Sequence, residues 1–286
     1  MGAALSGALV VRCDTPVPTA IALAVLFPFL TTALAITYTM VLSRPGESAL
    51  PWWQALAGEI WASIVVFVLR QPWTRGQPPL LPATAGSPQA VPVVLVHGYL
   101  CNHRLWDKVA AQLRAQGHAV QAVNLEPAFT SIDHYAPLVE QAVQALRSHT
   151  GQAQVALVGH SMGGLALRAW ARRYGLAHAA QLISLGTPHA GTQVPQHLPS
   201  PNGRQMMWNS DWLQTLRSGE DEALRNRFSV AITAQDNIVF PQRAQVLDGV
   251  AVTVFEGIGH LQMCLHQPVI DWLLARLRQA PAEAHA

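Results

Sequence analysis

Residues Val155–Arg168 read VALVGHSMGGLALR. Four apolar residues run into Gly159, a serine stands at 161, Gly163 comes two further on, and a helical pattern starts at once. A short apolar run closed by glycine fits a strand buried on both faces. Between such a strand and a helix, Gly-x-Ser-x-Gly marks a sharp turn: the glycines leave room, and the serine Oγ is thrust clear of the sheet. A serine hydroxyl is a poor nucleophile near neutral pH until a base removes its proton. Ser161 as nucleophile therefore predicts an imidazole and a carboxylate elsewhere, and an alternation of strands and helices around it.

The alternation is present on both sides. Upstream come the strand VPVVLVHG (91–98), the helix NHRLWDKVAAQLRAQG (102–117) with Gly117 as its stop, and the strand HAVQAVNL (118–125). The helix SIDHYAPLVEQAVQALRSHTG (131–151) follows, opened by Ser131 or Asp133 and closed by Gly151. Downstream come MGGLALRAWARRYG (162–175), AAQLISLG (179–186), FSVAITA (228–234), VAVTVFEG (250–257) and a closing helix PVIDWLLARLRQ (268–279). This order predicts an α/β domain over 91–280: a mostly parallel sheet with helices on both faces. Ligands of such sheets sit at the carboxyl ends of the strands.

The remaining site pieces are sought there. His260, in VFEGIGHLQM, follows the last strand on a glycine-rich loop; between that strand and the closing helix only His266 shares the position, and it already adjoins the helix. Asp236, in SVAITAQDNIVFP, comes directly after the penultimate strand. A carboxylate there accepts the imidazole N–H and fixes its tautomer. Glu256, at the end of the last strand, is the alternative acid. An oxyanion needs two backbone donors: Met162, next after the nucleophile, and Tyr99 in HGYLCN (97–102) are the candidates. The long connection between Pro188 and Asn226 (188–226) carries Met206, Met207, Trp208, Trp212 and Leu213, which suit either a lid over a pocket or the core of a small helical subdomain. Leu100, Phe129, His160, Trp208 and Trp212 are the expected substrate-binding residues.

The first seventy residues suit a different solvent. Thr15 to Ser43 holds no charged side chain, and WWQALAGEIWASIVVFVL (52–69) holds one, Glu59. Each run is long enough to cross a bilayer, which takes about 20 residues. Trp52, Trp53 and Trp73 stand at the ends of the second run as interfacial anchors, and Glu59 is expected to turn toward the first helix. Residues 1–70 are therefore expected to form a membrane hairpin, followed by a Pro/Gly-rich linker at 71–90. Two alternatives stay open: a signal peptide with Arg12 in its charged region and cleavage at Ala33–Ala35, or one span with an interfacial second helix. Arg12, Arg70 and Arg75 on the outer flanks, against Arg44 between the runs, favour a cytoplasmic catalytic domain. The chain is 50% hydrophobic and only 12% charged, and its net charge of +2 comes without a basic run, which argues against nucleic acid as a partner. Cys13, Cys101 and Cys264 are too few and scattered for a disulfide scaffold.

From Val91 to about Leu277 the chain resembles bacterial lipases and esterases of the α/β-hydrolase superfamily, both triacylglycerol lipases and the esterases grouped with GPI inositol-deacylases. The shared stretches are VVLVHGYL, VGHSMGGLALR, ISLGTPHAGT, QDNIVFP and GIGHLQM; GTPHAGT (186–192) is the more particular to lipase-like members. The resemblance implies serine-dependent cleavage of acyl esters with no cofactor, by Ser161, Asp236 and His260. It differs in lacking the edge strands of larger members and the aspartate pair of calcium-binding lipases, so no metal is expected. The apolar N-terminus has no counterpart in secreted lipases. It implies a membrane-tethered enzyme, at a bacterial inner membrane, whose partners are lipid and an amphiphilic acyl ester. The same residues also suit an acyltransferase or a non-catalytic membrane scaffold, and they do not specify an oligomeric state.

Overall fold

The computed structural model describes residues 16–279 apart from 45, 47, 75, 87–88 and 195–198. Arg12, Cys13 and Arg75 lie outside the described residues. In chain order, two apolar helices, α1 (Val17–Leu42) and α2 (Ala49–Ser63), come first, and α2 continues through π-helical turns over Ile64–Arg70. Then follow β1 (Val93–Val96), α3 (Asp107–Ala115), β2 (Val120–Val123), α4 (Ala136–Thr150), β3 (Val155–His160), α5 (Met162–Tyr174) and β4 (Ala179–Leu185). Three short helices, α6 (Pro201–Gln205), α7 (Asp211–Ser218) and α8 (Glu222–Asn226), precede β5 (Phe228–Thr233), β6 (Val252–Phe255) and α9 (Gln267–Arg278).

The strands form one six-stranded sheet in the order β2-β1-β3-β4-β5-β6, with every neighbouring pair parallel. Alternate residues of each strand serve opposite faces, as a period of two requires. Val94 and Val96 of β1 pack with Tyr135, Val139, Leu165 and Trp170, in the layer of α4 and α5. Val93 and Leu95 pack with Trp106, Val109, Ile270 and Leu273, in the layer of α3 and α9. Burying side chains of this size stabilises the fold by roughly 1.5–3 kcal/mol each. The expected α/β sandwich is therefore the observed one.

The N-terminal helices form a hairpin. Met40, Trp52, Ala55 and Leu56 pack between them, and Trp52 Nε1 donates to the Met40 carbonyl at 3.1 Å. Away from its C-terminal end α1 is mostly exposed: Val25, Leu26, Leu30 and Leu34 are each about 60% exposed. α2 is different. Ala62 and, in the π-helical turns, Val66 belong to the core layer beneath the sheet, beside Leu105 and α9. Apolar periodicity alone does not distinguish lipid from protein as the partner of such a run, and here Ala62 and Val66 have protein as theirs. The linker likewise lies on the fold: Leu81 exchanges hydrogen bonds of 2.8 Å with Val120 at the outer edge of β2, and the Thr84 N–H reaches the Arg114 carbonyl. This covers an otherwise open sheet edge.

Within the 188–226 connection, Ser200, Ser210 and Asp221 cap α6, α7 and α8 through their side chains. Met206, Leu213 and Leu224 are buried in the same layer as α5. Its described part is a packed helical subdomain, one of the two readings the composition left open.

Candidate active site

The strand order reverses between β1 and β3, since β1 leads outward to β2 and the chain then returns to β3 on the other side. That switch point opens a crevice at the carboxyl ends of those strands. The β1 end supplies His97 and Gly98, and the β3 end supplies His160 and Ser161. Ser161 sits between β3 and α5 with φ 55° and ψ −127°. A non-glycine residue there costs of order 1–3 kcal/mol and persists only where its surroundings enforce it. They do so here. The Ser161 N–H bonds the Leu185 carbonyl at 2.9 Å, and a Cβ added at Gly98 would lie 2.7 Å from Ser161 Cβ and 3.2 Å from its Oγ. Only glycine at 98 lets the β1 loop come this close. Met162 opens α5, so its N–H has no partner within the helix.

His260 and Asp236 come from the loops after β6 and β5. His260 Nδ1 and Asp236 Oδ2 are 2.7 Å apart, with side chains 6% and 3% exposed. The other carboxylate oxygen of Asp236 accepts the N–H groups of Ile238 (2.9 Å) and Val239 (2.7 Å). Three donors hold it in place. With Nδ1 bonded to the carboxylate, Nε2 is the ring nitrogen free to act as a base. Burial opposes a charge on His260, but the charge and hydrogen bond of Asp236 outweigh it, and with Glu59 they raise its pKa above the ordinary imidazole value. The two loops are stitched together: Thr233 Oγ1 donates to the Ile258 carbonyl, the Gly257 N–H to Gln235 Oε1, and the His260 N–H to Asn237 Oδ1.

Two further histidines are structural. His97 donates from Nδ1 to the Gly98 carbonyl (2.8 Å) and accepts the Leu125 N–H on Nε2 (3.0 Å); burial lowers its pKa to about 4. His160 donates from Nε2 to the His260 carbonyl at 3.1 Å, and its ring lies 4.6 Å from the His260 ring. Burial, then the neighbouring His260, hold its pKa well below the ordinary value. His160 is 1% exposed. It lies under the His260 loop, away from the solvent where a substrate would arrive. Among the described residues no hydrogen bond joins Ser161 Oγ to His260; in ligand-free sites such contacts are often long or poorly aligned.

Residues 91–235, about half of the chain, match the alpha/beta hydrolase fold family. This chain belongs to that family. The chain is 40% identical over 82 residues to methylesterase 3 of Arabidopsis thaliana, an alignment covering 26% of this chain and 31% of that one. It is 33% identical over 132 residues to a triacylglycerol lipase of Burkholderia plantarii, covering 38% and 35%. The chain thus spans about a third of the length of these curated relatives. Among solved structures it superposes on a Bacillus licheniformis lipase with a TM-score of 0.58 at 15% identity, covering 68% of this chain and 95% of that one. It also superposes on Aspergillus fumigatus lipase B with a TM-score of 0.56 at 18% identity, covering 68% and 54%. At such identities the likeness is one of fold.

The other expected residues divide. Leu100 (φ 61°) and Phe129 are about half exposed, and the Tyr99 ring meets Phe129 edge-on at 5.8 Å. The Tyr99–Phe129 contact is where the β1 loop meets the 129–135 segment, with Leu100 exposed next in sequence to Tyr99. Trp208 is half-buried in the helical subdomain. Trp212 packs on its core and donates to Asp133 Oδ2 at 2.9 Å, a structural anchor. Glu256 is exposed and faces Arg243 at 3.8 Å, and among the described residues it is Asp236 that bonds His260. Cys101 and Cys264 are free thiols, and burial, with the Glu59 charge second, pushes Cys101 up to about 12.

Sequence reasoning missed the contacts that the hydrolase domain makes with the N-terminal helices. Glu59 does not turn toward α1. Its two oxygens accept the N–H groups of Leu261 (2.8 Å) and Gln262 (2.9 Å), directly after His260. Asn237 Nδ2 donates to Thr39 Oγ1, and Gln242 Nε2 bridges the carbonyls of Ser43 and Asp236. Gln71 Nε2 donates to the Leu100 carbonyl at 2.7 Å. The signal that was available is the lone charge of Glu59 in an apolar run.

Proposed function

We propose that this hydrolase is a membrane-tethered serine carboxylesterase, which cleaves amphiphilic acyl esters through an acyl-enzyme. The buried His260–Asp236 pair, in the same cluster of strand-end loops as a serine held at positive φ, carries this reading. The relatives named methylesterase and triacylglycerol lipase support ester chemistry over other reactions of the fold.

Asp236 keeps the His260 proton on Nδ1, and Nε2 takes the proton of Ser161 as its Oγ attacks the ester carbonyl. The carbonyl oxygen gathers negative charge and receives the N–H groups of Met162 and Tyr99, each worth roughly 3 kcal/mol in such a site. His260 then protonates the departing alcohol. A water molecule, deprotonated by the same nitrogen, attacks the acyl-enzyme, releases the acid and restores Ser161. Tyr99, Leu100 and Phe129 offer apolar contact to the acyl chain.

Tethering rests on α1. A helix apolar on all sides is stable when buried in protein or lipid, and this one is mostly unburied by protein. Its 26 residues exceed the ~20 that span a bilayer core. α2 does not cross in this reading, because Glu59, Ala62 and Val66 are committed to the hydrolase domain. Its outer side instead presents Leu50, Trp53 and Trp61, residues suited to an interface.

The test is labelling by a fluorophosphonate, wild type beside Ser161→Ala. Labelling confined to the wild type supports the reading, and equal labelling removes Ser161 from it. A chain-length series of nitrophenyl esters then reads the acyl preference.

A further inference from the structure

We propose that Glu59, on the second apolar helix, is a positioning residue for the catalytic histidine, so that the N-terminal segment is a wall of the active site as well as its tether. The inference rests on the reading of Ser161, His260 and Asp236 given above.

The carboxylate of Glu59 is 1% exposed. A buried carboxylate is costly unless donors surround it, and the donors here are two consecutive backbone N–H groups of a short 3-10 turn, Leu261–Cys264, that begins at the residue after His260. The first N–H groups of a helical turn have no partner inside it. Glu59 supplies one from more than two hundred residues away in sequence. Gripping both positions after His260 fixes the backbone from which the imidazole projects.

The approach of the two elements is built for contact. A Cβ added at Gly259 would lie 2.6 Å from Glu59 Cβ, and one at Gly58 would strike the Gln262 side-chain amide. Gln262 Oε1 in turn accepts the Gly259 N–H at 3.1 Å. Small residues on both sides thus bring helix and loop together around the catalytic histidine. The same face of the hairpin holds the acid loop, through Thr39 on Asn237 and Ser43 on Gln242. It also holds the β1 loop, through Gln71 on Leu100. Each loop that carries a proposed catalytic group beyond β3 is therefore tied to residues 39–71. The titratable groups facing Glu59 are His260, Asp236, Cys101 and Cys264. Its charge is among the causes that raise the pKa of His260. Burial, opposed by His260 and the two backbone N–H groups, raises the pKa of Glu59 itself to about 7, so that this charge is present at and above neutral pH.

The experiment uses the full chain in detergent micelles, with Ser161→Ala, Glu59→Gln and Glu59→Asp beside the wild type. Fluorophosphonate labelling rates and the pH profile of kcat/KM for a short nitrophenyl ester are read on each. Glu59→Gln keeps the shape but presents an amide NH2 to a backbone donor. It is expected to slow labelling at least tenfold, to lower kcat with KM changed less than threefold, and to move the acid limb to lower pH. Simple loosening of the helix does not move that limb. Glu59→Asp keeps the charge but shortens the reach, so it is expected to lower kcat with the limb near its wild-type position. If circular dichroism shows Glu59→Gln unfolded, Glu59→Asp decides, and a wild-type rate there overturns the proposal. Wild-type labelling and an unmoved limb in Glu59→Gln also overturn it while leaving the role of Ser161 intact. Labelling that survives Ser161→Ala removes the functional reading beneath both.

Discussion

Exchanging Asp236 for Asn alters a single atom of the side chain but reverses its hydrogen bonding. The amide oxygen still accepts the Ile238 and Val239 N–H groups, now at 2.9 and 2.7 Å. The amide NH2 then faces His260 Nδ1, 2.7 Å away in the native pair. Nδ1 must accept, the ring proton moves to Nε2, and no lone pair is left for the Ser161 proton. The corresponding exchange in a Ser-His-Asp protease lowers kcat about 10⁴-fold, which is about 5.4 kcal/mol of transition-state stabilisation. With both side chains 6% or less exposed, water does not replace the lost acceptor, so a fall of about 10³- to 10⁴-fold is expected. The assay is kcat/KM for a short nitrophenyl ester between pH 5 and 9. His260 must be neutral to act as a base, and its pKa is raised by Asp236 against the opposing effect of burial. The wild-type acid limb therefore lies above the ordinary imidazole value, with activity lost as pH falls through it. In Asp236→Asn the limb moves down in pH and the plateau collapses. Activity within tenfold of wild type on an unmoved limb, or an equal loss in Glu256→Gln, would refute this assignment of the acid.

Three other perturbations test separate parts of the structure. Gly98→Ala puts a methyl 2.7 Å from Ser161 Cβ and 3.2 Å from the His160 carbonyl; fluorophosphonate labelling should fall by over about 100-fold with the circular dichroism spectrum retained, and unimpaired labelling contradicts the geometry. Arg168→Ala strands Glu220, whose carboxylate it meets at 2.6 and 2.9 Å with both side chains buried; a loss of about 3–5 kcal/mol should appear in the urea midpoint, and a change below about 1 kcal/mol would be inconsistent with it. Leu30→Arg puts a charge at the middle of α1 at a cost of roughly 3 kcal/mol in a bilayer; membranes should then release the protein to alkaline carbonate more readily, and unchanged retention speaks against a span.

How much of this was legible depends on the range of the interaction. The strand-turn-helix around Ser161 is local: Val155–Val158 are buried as an apolar run must be, and the glycines sit where the turn tightens. Asp236 and His260 were legible because strand ends share one edge of a parallel sheet, so chain order alone put them in one place. Glu59 was visible as an anomaly, a charge among apolar residues, but its partner is a pair of backbone N–H groups, which no side-chain pattern announces. Trp52 and Val66 misled for a related reason. Trp52 matches an interfacial anchor in composition yet is buried between α1 and α2, and Val66 matches lipid-facing residues yet faces the core. His160, adjacent to Ser161 in sequence, was expected in the pocket; the alternation of β3 turns it under the His260 loop instead.

The bond between Asn237 and Thr39 has a geometric consequence. Thr39 stands three residues from the end of α1, and Asn237 is the immediate neighbour of the acid that orients the imidazole. Were α1 surrounded by lipid, as proposed, this bond would hold the proposed proton-transfer centre near a set height above the headgroups. An enzyme so mounted would draw its ester sideways from the leaflet, and its turnover would follow the number of ester molecules per unit area of bilayer.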